Sequence, residues 1–153
     1  MTNSPRSSRR LVAEPARPAA LVDTDVFSLL FVRQSSADPR VPAWRELLTG
    51  RRVLISFQTR AELLAGALAA GWGDARTTDL RTILDRTPTI GADQQVIEAY
   101  ALLVAECQRA GHALHDPQHV GDRWVAASAV AKGVDLLAGD GIYAGAPGVS
   151  LLG

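Results

Sequence analysis

The stretch Ala19-Ala20-Leu21-Val22-Asp23-Thr24-Asp25-Val26-Phe27-Ser28 decides how the chain is read. Four apolar residues with a β-branched end stop at an acid, and a second apolar run, residues 26–32, begins just beyond Asp25. A short run that is apolar at every position predicts a strand buried on both faces, and the apolar residues after the polar break predict a helix. The pattern recurs at Val53-Leu54-Ile55, where Ser56 is placed to cap the helix that follows. In that helix Ala61, Leu64, Ala65 and Leu68 form the predicted apolar stripe, with Arg60 and Glu62 away from its centre.

Working outward, residues 35–42 hold two prolines and read as a loop, and residues 43–48 as a short helix ended by Gly50. Residues 75–86 are amphipathic through Leu80, Ile83 and Leu84, and Pro88-Thr89-Ile90 predicts a short strand. Val96, Ala99, Tyr100, Leu103 and Val104 place an apolar face on a long helix over residues 93–110, ended by Gly111. The polar residues 112–121 read as a loop, 122–132 as an alanine-rich helix stopped by Gly133, 134–138 as a strand leading to Gly139-Asp140-Gly141, and 149–152 as a last strand. Strands alternating with helices predict an α/β fold: three layers, α/β/α, with a central, mostly parallel sheet flanked by helices.

The length, 153 residues, suits one domain, set here at 19–153 behind a flexible N-terminal tail at 1–18. No apolar run approaches the roughly 18 to 20 residues that a membrane span requires, so no membrane partner is expected. The tail is rich in Arg, Ser and Pro and lacks the apolar stretch of a secretory signal. Cys107 is the one cysteine, so no internal disulfide can form, and the cytoplasm is the expected compartment. A net charge of zero gives no general attraction to a polyanion, so nucleic-acid affinity has to come from local basic patches or a bound metal. Arg51, Arg52 and the tail arginines Arg6, Arg9, Arg10 and Arg17 are candidate phosphate contacts, and an ordinary solvated role is open to each.

Sixteen acidic residues are unremarkable in number, and their placement carries the information. Asp23 ends the first strand, Asp140 a late strand, Glu62 lies in the helix after the second strand, and Asp122 opens a helix. In an open parallel sheet the loops at the carboxyl ends of the strands form the ligand crevice. Carboxylates gathered there repel one another and need protonation or a cation, and all-oxygen ligands select a hard ion such as Mg²⁺ or Mn²⁺. Each acid also has a plain role: Asp23 as a helix cap, Glu62 on a solvated face, Asp122 in a first helical turn, Asp140 in a turn.

The ordered set resembles the PIN-domain family. Leu21-Val22-Asp23-Thr24-Asp25-Val26-Phe27-Ser28 looks like its opening motif; Ala61-Glu62-Leu63, His119-Val120-Gly121-Asp122-Arg123-Trp124-Val125-Ala126-Ala127 and Leu136-Leu137-Ala138-Gly139-Asp140 look like its later acidic motifs. Within the family the match is to the VapC branch of toxin–antitoxin pairs, over residues 20–152. Asp25 departs from a common Asn, and Ala138 stands where a Thr or Ser commonly precedes the last Asp. The resemblance implies a metal-dependent endoribonuclease with Asp23, Glu62, Asp122 and Asp140 as its catalytic and metal-holding residues. Asp23 and Asp122 would be the principal ligands of one or two Mg²⁺ or Mn²⁺ ions, Glu62 and Asp140 would act directly or through water, and Thr24 and Ser28 would supply hydroxyls beside Asp23. It also implies an RNA substrate, a homodimer and a cognate antitoxin.

Other readings use the same residues. A haloacid-dehalogenase-type phosphatase would take Asp23 as nucleophile and Asp25 as acid with Ser56, Lys132 and Asp140, but it leaves Glu62 and Asp122 without roles. A catalytically silent binding module would keep the fold alone. Cys107, His112, His115 and His119 have zinc-ligand chemistry, against which stand a helical cysteine that packs as a small hydrophobe and histidines in a polar loop, with solvated His119 as the expectation. Trp44, Trp72 and Trp124 read as core or dimer-interface packing in preference to base stacking.

Overall fold

The computed structural model describes residues 18–33 and 37–153; the predicted tail apart from Pro18, its arginines, and part of the predicted 35–42 loop lie outside the described residues. β1 (Ala19–Val22), β2 (Arg52–Ser56), β3 (Thr89–Ile90) and β4 (Asp135–Leu137) form a parallel sheet in the order β3-β2-β1-β4. Leu21 of β1 pairs with Leu54 of β2 on one side and with Leu136 of β4 on the other. The chain runs outward from β1 to β2 and β3 and then returns across β1 to β4, so the strand order reverses beside β1. That switch point is where an open α/β sheet leaves a crevice at its carboxyl edge.

Successive side chains of a strand face opposite ways, which explains why β1 is apolar throughout. Leu21 belongs to a core with Val96, Leu103, Val125 and Leu136 under α5 (Gln94–Ala110) and α6 (Val120–Lys132). Ala20 and Val22 join Val26, Phe27, Trp44, Ala67 and Leu84 on the other face, under α1 (Thr24–Phe27), α2 (Val41–Leu48), α3 (Phe57–Ala69) and α4 (Asp74–Asp85). The predicted three-layer α/β/α arrangement is therefore the fold. Gly111 and Gly133 close α5 and α6 in the left-handed region, at φ 66° and 62°, where a side chain would be strained. Among the described residues no helix is long and apolar enough to cross a membrane.

Ser56 ties the sheet to both layers. Its hydroxyl accepts the Gln58 N–H at 3.2 Å, capping α3, and meets the Ser128 hydroxyl of α6 at 3.0 Å. Ser128 gives its own proton to the Trp124 carbonyl, so Ser56 is the donor between the two serines.

Three expectations change. Of the predicted stripe only Leu64 packs on the core: the buried face of α3 runs through Thr59 and Ala67 with Leu63 and Leu64 partly covered, while Leu68 is 66% exposed and Ala61 and Ala65 are exposed. An alanine-rich helix fits several stripes, and the polar pairing of Thr59 with Thr24 turns this one. Residues 112–121 do not form an open loop: 3₁₀ turns at Ala113–His115 and Pro117–His119 lead into α6 two residues earlier than predicted. The buried Arg123 guanidinium holds them by donating to the Leu114 and Asp116 carbonyls, both at 2.7 Å. The last predicted strand reduces to one parallel bridge, Leu136 with Leu151, because the chain meets the edge of β4 at that pair alone.

Leu21 is fully buried at the middle of the central strand. Leu21→Ala is expected to lower unfolding free energy by about 2 to 5 kcal/mol in denaturant titration, the range for a core leucine that leaves a cavity; a loss well under 1 kcal/mol would show that β1 is not the packing centre.

Candidate active site

Asp23 leaves the carboxyl end of β1. Its backbone N–H donates to the Leu137 carbonyl of β4 at 2.9 Å, and its Oδ1 accepts the Thr24 N–H at 2.7 Å as the cap of α1. Sheet and helix therefore fix the residue from two sides. The side chain is only 6% exposed. Burial pushes its pKa up to about 7, the charges of Asp122 and Asp25 push the same way, and the Thr24 N–H and the nearby Tyr143 hydroxyl oppose them.

Asp122 stands in the first turn of α6, where the helix dipole favours a negative charge. His119 Nδ1 lies 2.9 Å from its Oδ2, and the Tyr143 hydroxyl donates to its Oδ1 at 3.2 Å. An ionised carboxylate has only acceptors, so Nδ1 carries the imidazole proton; Gln118 Nε2, 3.4 Å from His119 Nε2, fits the same tautomer. His119 is thus engaged with an acid, contrary to the solvated role expected of it.

Glu62 reaches the same region from α3. Its Oε2 accepts the Thr24 hydroxyl at 2.6 Å and its Oε1 accepts Gln58 Nε2 at 2.9 Å. With the Thr24 proton given to Glu62, the Thr59 hydroxyl at 2.9 Å must donate to Thr24. Thr24 therefore serves Asp23 through its backbone and Glu62 through its hydroxyl. A Cβ at Gly121 would stand 2.7 Å from Glu62 Oε1, so the bare glycine leaves room for the Glu62 carboxylate in its present position beside the first turn of α6.

Asp140 follows β4 and its Oδ1 accepts the Ile142 N–H at 3.0 Å, capping the turn Gly141–Tyr143. It lines a groove with Asp25, Arg40, Gly139 and Gly141, and Ser28 lines an adjoining one with Asp25, Arg33 and Arg40. Asp23, Glu62 and Asp122 are thus drawn together, and Asp140 sits at the adjoining rim, tied to them through the turn that carries Tyr143.

Among the described residues, no three His, Cys, Asp or Glu side chains close around one point as a finished cage. The donor chemistry nevertheless fits a hard divalent cation: a buried carboxyl whose surroundings oppose its charge faces a second acid, with further oxygen donors beside them. No comparable convergence supports zinc at the other candidates. Cys107 is buried in the core, and His112 uses Nε2 on the Ala144 carbonyl and Nδ1 on the Leu114 N–H. Lys132, required by a phosphatase, bonds Asp93 at 2.5 Å and Gln95 at 2.7 Å, about 15 Å along α6 from Asp122. Arg51 and Arg52 stand at the start of β2, the opposite edge of the sheet from the acids. Trp44 is buried beneath Arg40, Trp72 lies under Arg76, and Trp124 stacks on Tyr100.

Tyr143, Gln58, Thr59 and Gly121 do not stand out in the sequence. His119 carried a usable signal, its position three residues before Asp122 at a helix start. Tyr143 carried none, since only the turn after Asp140 swings it toward Asp122.

The PIN domain family model matches residues 20–147. The chain is 34% identical over 135 residues to Ribonuclease VapC4 of Mycobacterium tuberculosis, covering 87% of this chain and 95% of that protein. Among solved structures it resembles VapBC2 from Rickettsia felis bound to a promoter DNA fragment, with TM-score 0.69 and 18% identity over 87% of this chain and 96% of that one. FitAcB from Neisseria gonorrhoeae gives TM-score 0.64 and 22% identity over 88% and 96% of the respective chains. At these identities the structures speak to the fold.

The acidity of Asp23 sets a pH dependence. Its folded value of about 7 lies above the ordinary 3.8, so the stabilisation from its bound proton is full below 3.8 and is lost as pH rises through about 7. With chelator present, the wild type is expected to lose stability over that window by on the order of a few kcal/mol relative to Asp23→Asn. Parallel thermal-midpoint profiles for the two proteins would contradict the burial of an ionisable group there.

Proposed function

The chain belongs to the PIN-domain family, and on that premise we propose that it is a VapC-type endoribonuclease toxin that hydrolyses RNA phosphodiester bonds and is restrained by a cognate antitoxin. The observation that carries this reading is the buried Asp23 facing Asp122 at the switch point of the sheet, with Glu62 beside them. Asp23 and Asp122 are the proposed principal ligands of Mg²⁺, or Mn²⁺ in its place, and Glu62 and Asp140 the further donors. Such an ion, when bound, neutralises the developing phosphate charge and makes water a better nucleophile at neutral pH.

The side chains do the remaining work. Thr24 and Gln58 hold both Glu62 oxygens, and His119 and Tyr143 hold both Asp122 oxygens, so neither carboxylate has to be oriented at the moment of reaction. Arg33, which lines the adjoining groove with Asp25, brings positive charge to the substrate phosphates, while the Arg40 guanidinium in the same groove is engaged by Asp38 at 2.8 Å. Attack by water on phosphorus breaks one P–O ester bond and leaves a phosphate monoester and a hydroxyl.

The antitoxin assignment is supported by the groove beside the acids. It is lined by Thr24, Asp25, Arg33, Glu62, Leu63 and Trp72 among others, a mixture of charge and apolar surface suited to a partner's peptide segment. A homodimer and a single catalytic domain over residues 19–153 complete the proposal.

The test is cleavage of a structured RNA by purified protein with Mg²⁺ or Mn²⁺, against Asp122→Asn and a chelator arm. Cutting is expected to fall by at least about 100-fold in the variant, the upper end for groups one step further from a metal, and to stop with chelator. Equal cutting by both proteins would reject the assignment and favour the silent binding module.

A further inference from the structure

Tyr143 is fully buried, yet its hydroxyl points into the acidic site instead of into apolar core. The ring packs with Leu114, Val125, Ala126 and Ala146 in the core under α5 and α6, a volume a phenylalanine would fill equally well. The hydroxyl therefore needs another account. It donates to Asp122 Oδ1 at 3.2 Å, and Asp23 is also within its influence. On the other Asp122 oxygen sits His119 Nδ1.

We propose that Tyr143 is a positioning residue for the cation-holding carboxylates: its hydroxyl and the His119 imidazole grip the two oxygens of Asp122 and turn the remaining lone pairs toward Asp23. Each carboxylate oxygen has two lone pairs, so accepting one bond at each oxygen leaves one at each for a cation. The backbone delivers the phenol by a route that also uses the fourth acid. Asp140 caps the turn Gly141–Tyr143, and the Tyr143 carbonyl accepts the Ala146 N–H at 3.1 Å, fixing the turn at both ends. Asp140 thus acts on Asp122 through the residue it positions. Where Ala138 lacks a hydroxyl, the chain brings one to the acids from Tyr143.

This inference rests on the metal-dependent reading, and the test separates the two. Mn²⁺ binding is titrated in the absence of RNA, by the loss of the free-ion electron paramagnetic resonance signal, for wild type and Tyr143→Phe. Thermal midpoints are measured in parallel with chelator. The variant is expected to bind Mn²⁺ about tenfold more weakly, as loss of an outer hydrogen bond to a metal ligand does, while its metal-free midpoint is retained. Equal affinity in a folded variant overturns the role of Tyr143 and leaves the nuclease reading standing. No Mn²⁺ binding by wild type overturns both.

A second measurement does not depend on the variant folding. The chain has two tyrosines, so tyrosine labelled with ¹³C at Cζ gives two signals, assigned with Tyr100→Phe. Saturating Mg²⁺ is expected to shift the Tyr143 signal and spare that of Tyr100; a Tyr143 signal that does not move contradicts the proposal.

Discussion

Two carboxylates that face one another at the edge of a buried strand are unfavourable on their own, and the arrangement of this protein follows from keeping them there. Asp23 has almost no contact with water, and both its burial and the charge of Asp122 oppose its ionisation. A chain selected only for stability would gain from replacing Asp23 with a neutral residue. The surroundings instead hold the acids in place: the backbone of Asp23 is bonded to β4, its side chain to α1, and Asp122 to two separate donors. Such a site is preorganised for a cation and, through it, for phosphate.

The scaffold makes this possible through topology. With β1 between β2 and β4, the acid at the end of β1 is supported on both sides, and the crevice opens where the strand order reverses. The two helices that contribute the other central acids approach from opposite faces of the sheet, α3 with Glu62 and α6 with Asp122. Ser56 and Ser128 bond across the sheet end, and the bare Gly121 leaves room for the Glu62 and Gln58 side chains beside the first turn of α6. Fold and site are therefore coupled at few contacts, all near the carboxyl edge.

The strands are legible from consecutive apolar residues, 19–22 in β1, 53–55 in β2 and 136–137 in β4, and the helix ends because Ser56, Asp93, Gly111 and Gly133 have local chemistry that acts without tertiary help. The face of α3 was not, since an alanine-rich helix offers several stripes and a long-range threonine pair chose among them. The turns within residues 112–121 are hidden in the sequence for a related reason: the arginine that organises them, Arg123, lies in the next helix and donates to backbone carbonyls. The four acids were legible as an ordered set at strand and helix ends. Their partners Tyr143, Gln58 and Thr59 were not, because each owes its place to a contact that no spacing in the sequence encodes.

The most direct check on the account is where a cation binds. Anomalous diffraction from crystals soaked in Mn²⁺ is predicted to give its strongest peak between the carboxylates of Asp23 and Asp122. A well-ordered crystal with no peak there, or with its only peak at the histidines of residues 112–119, would contradict it.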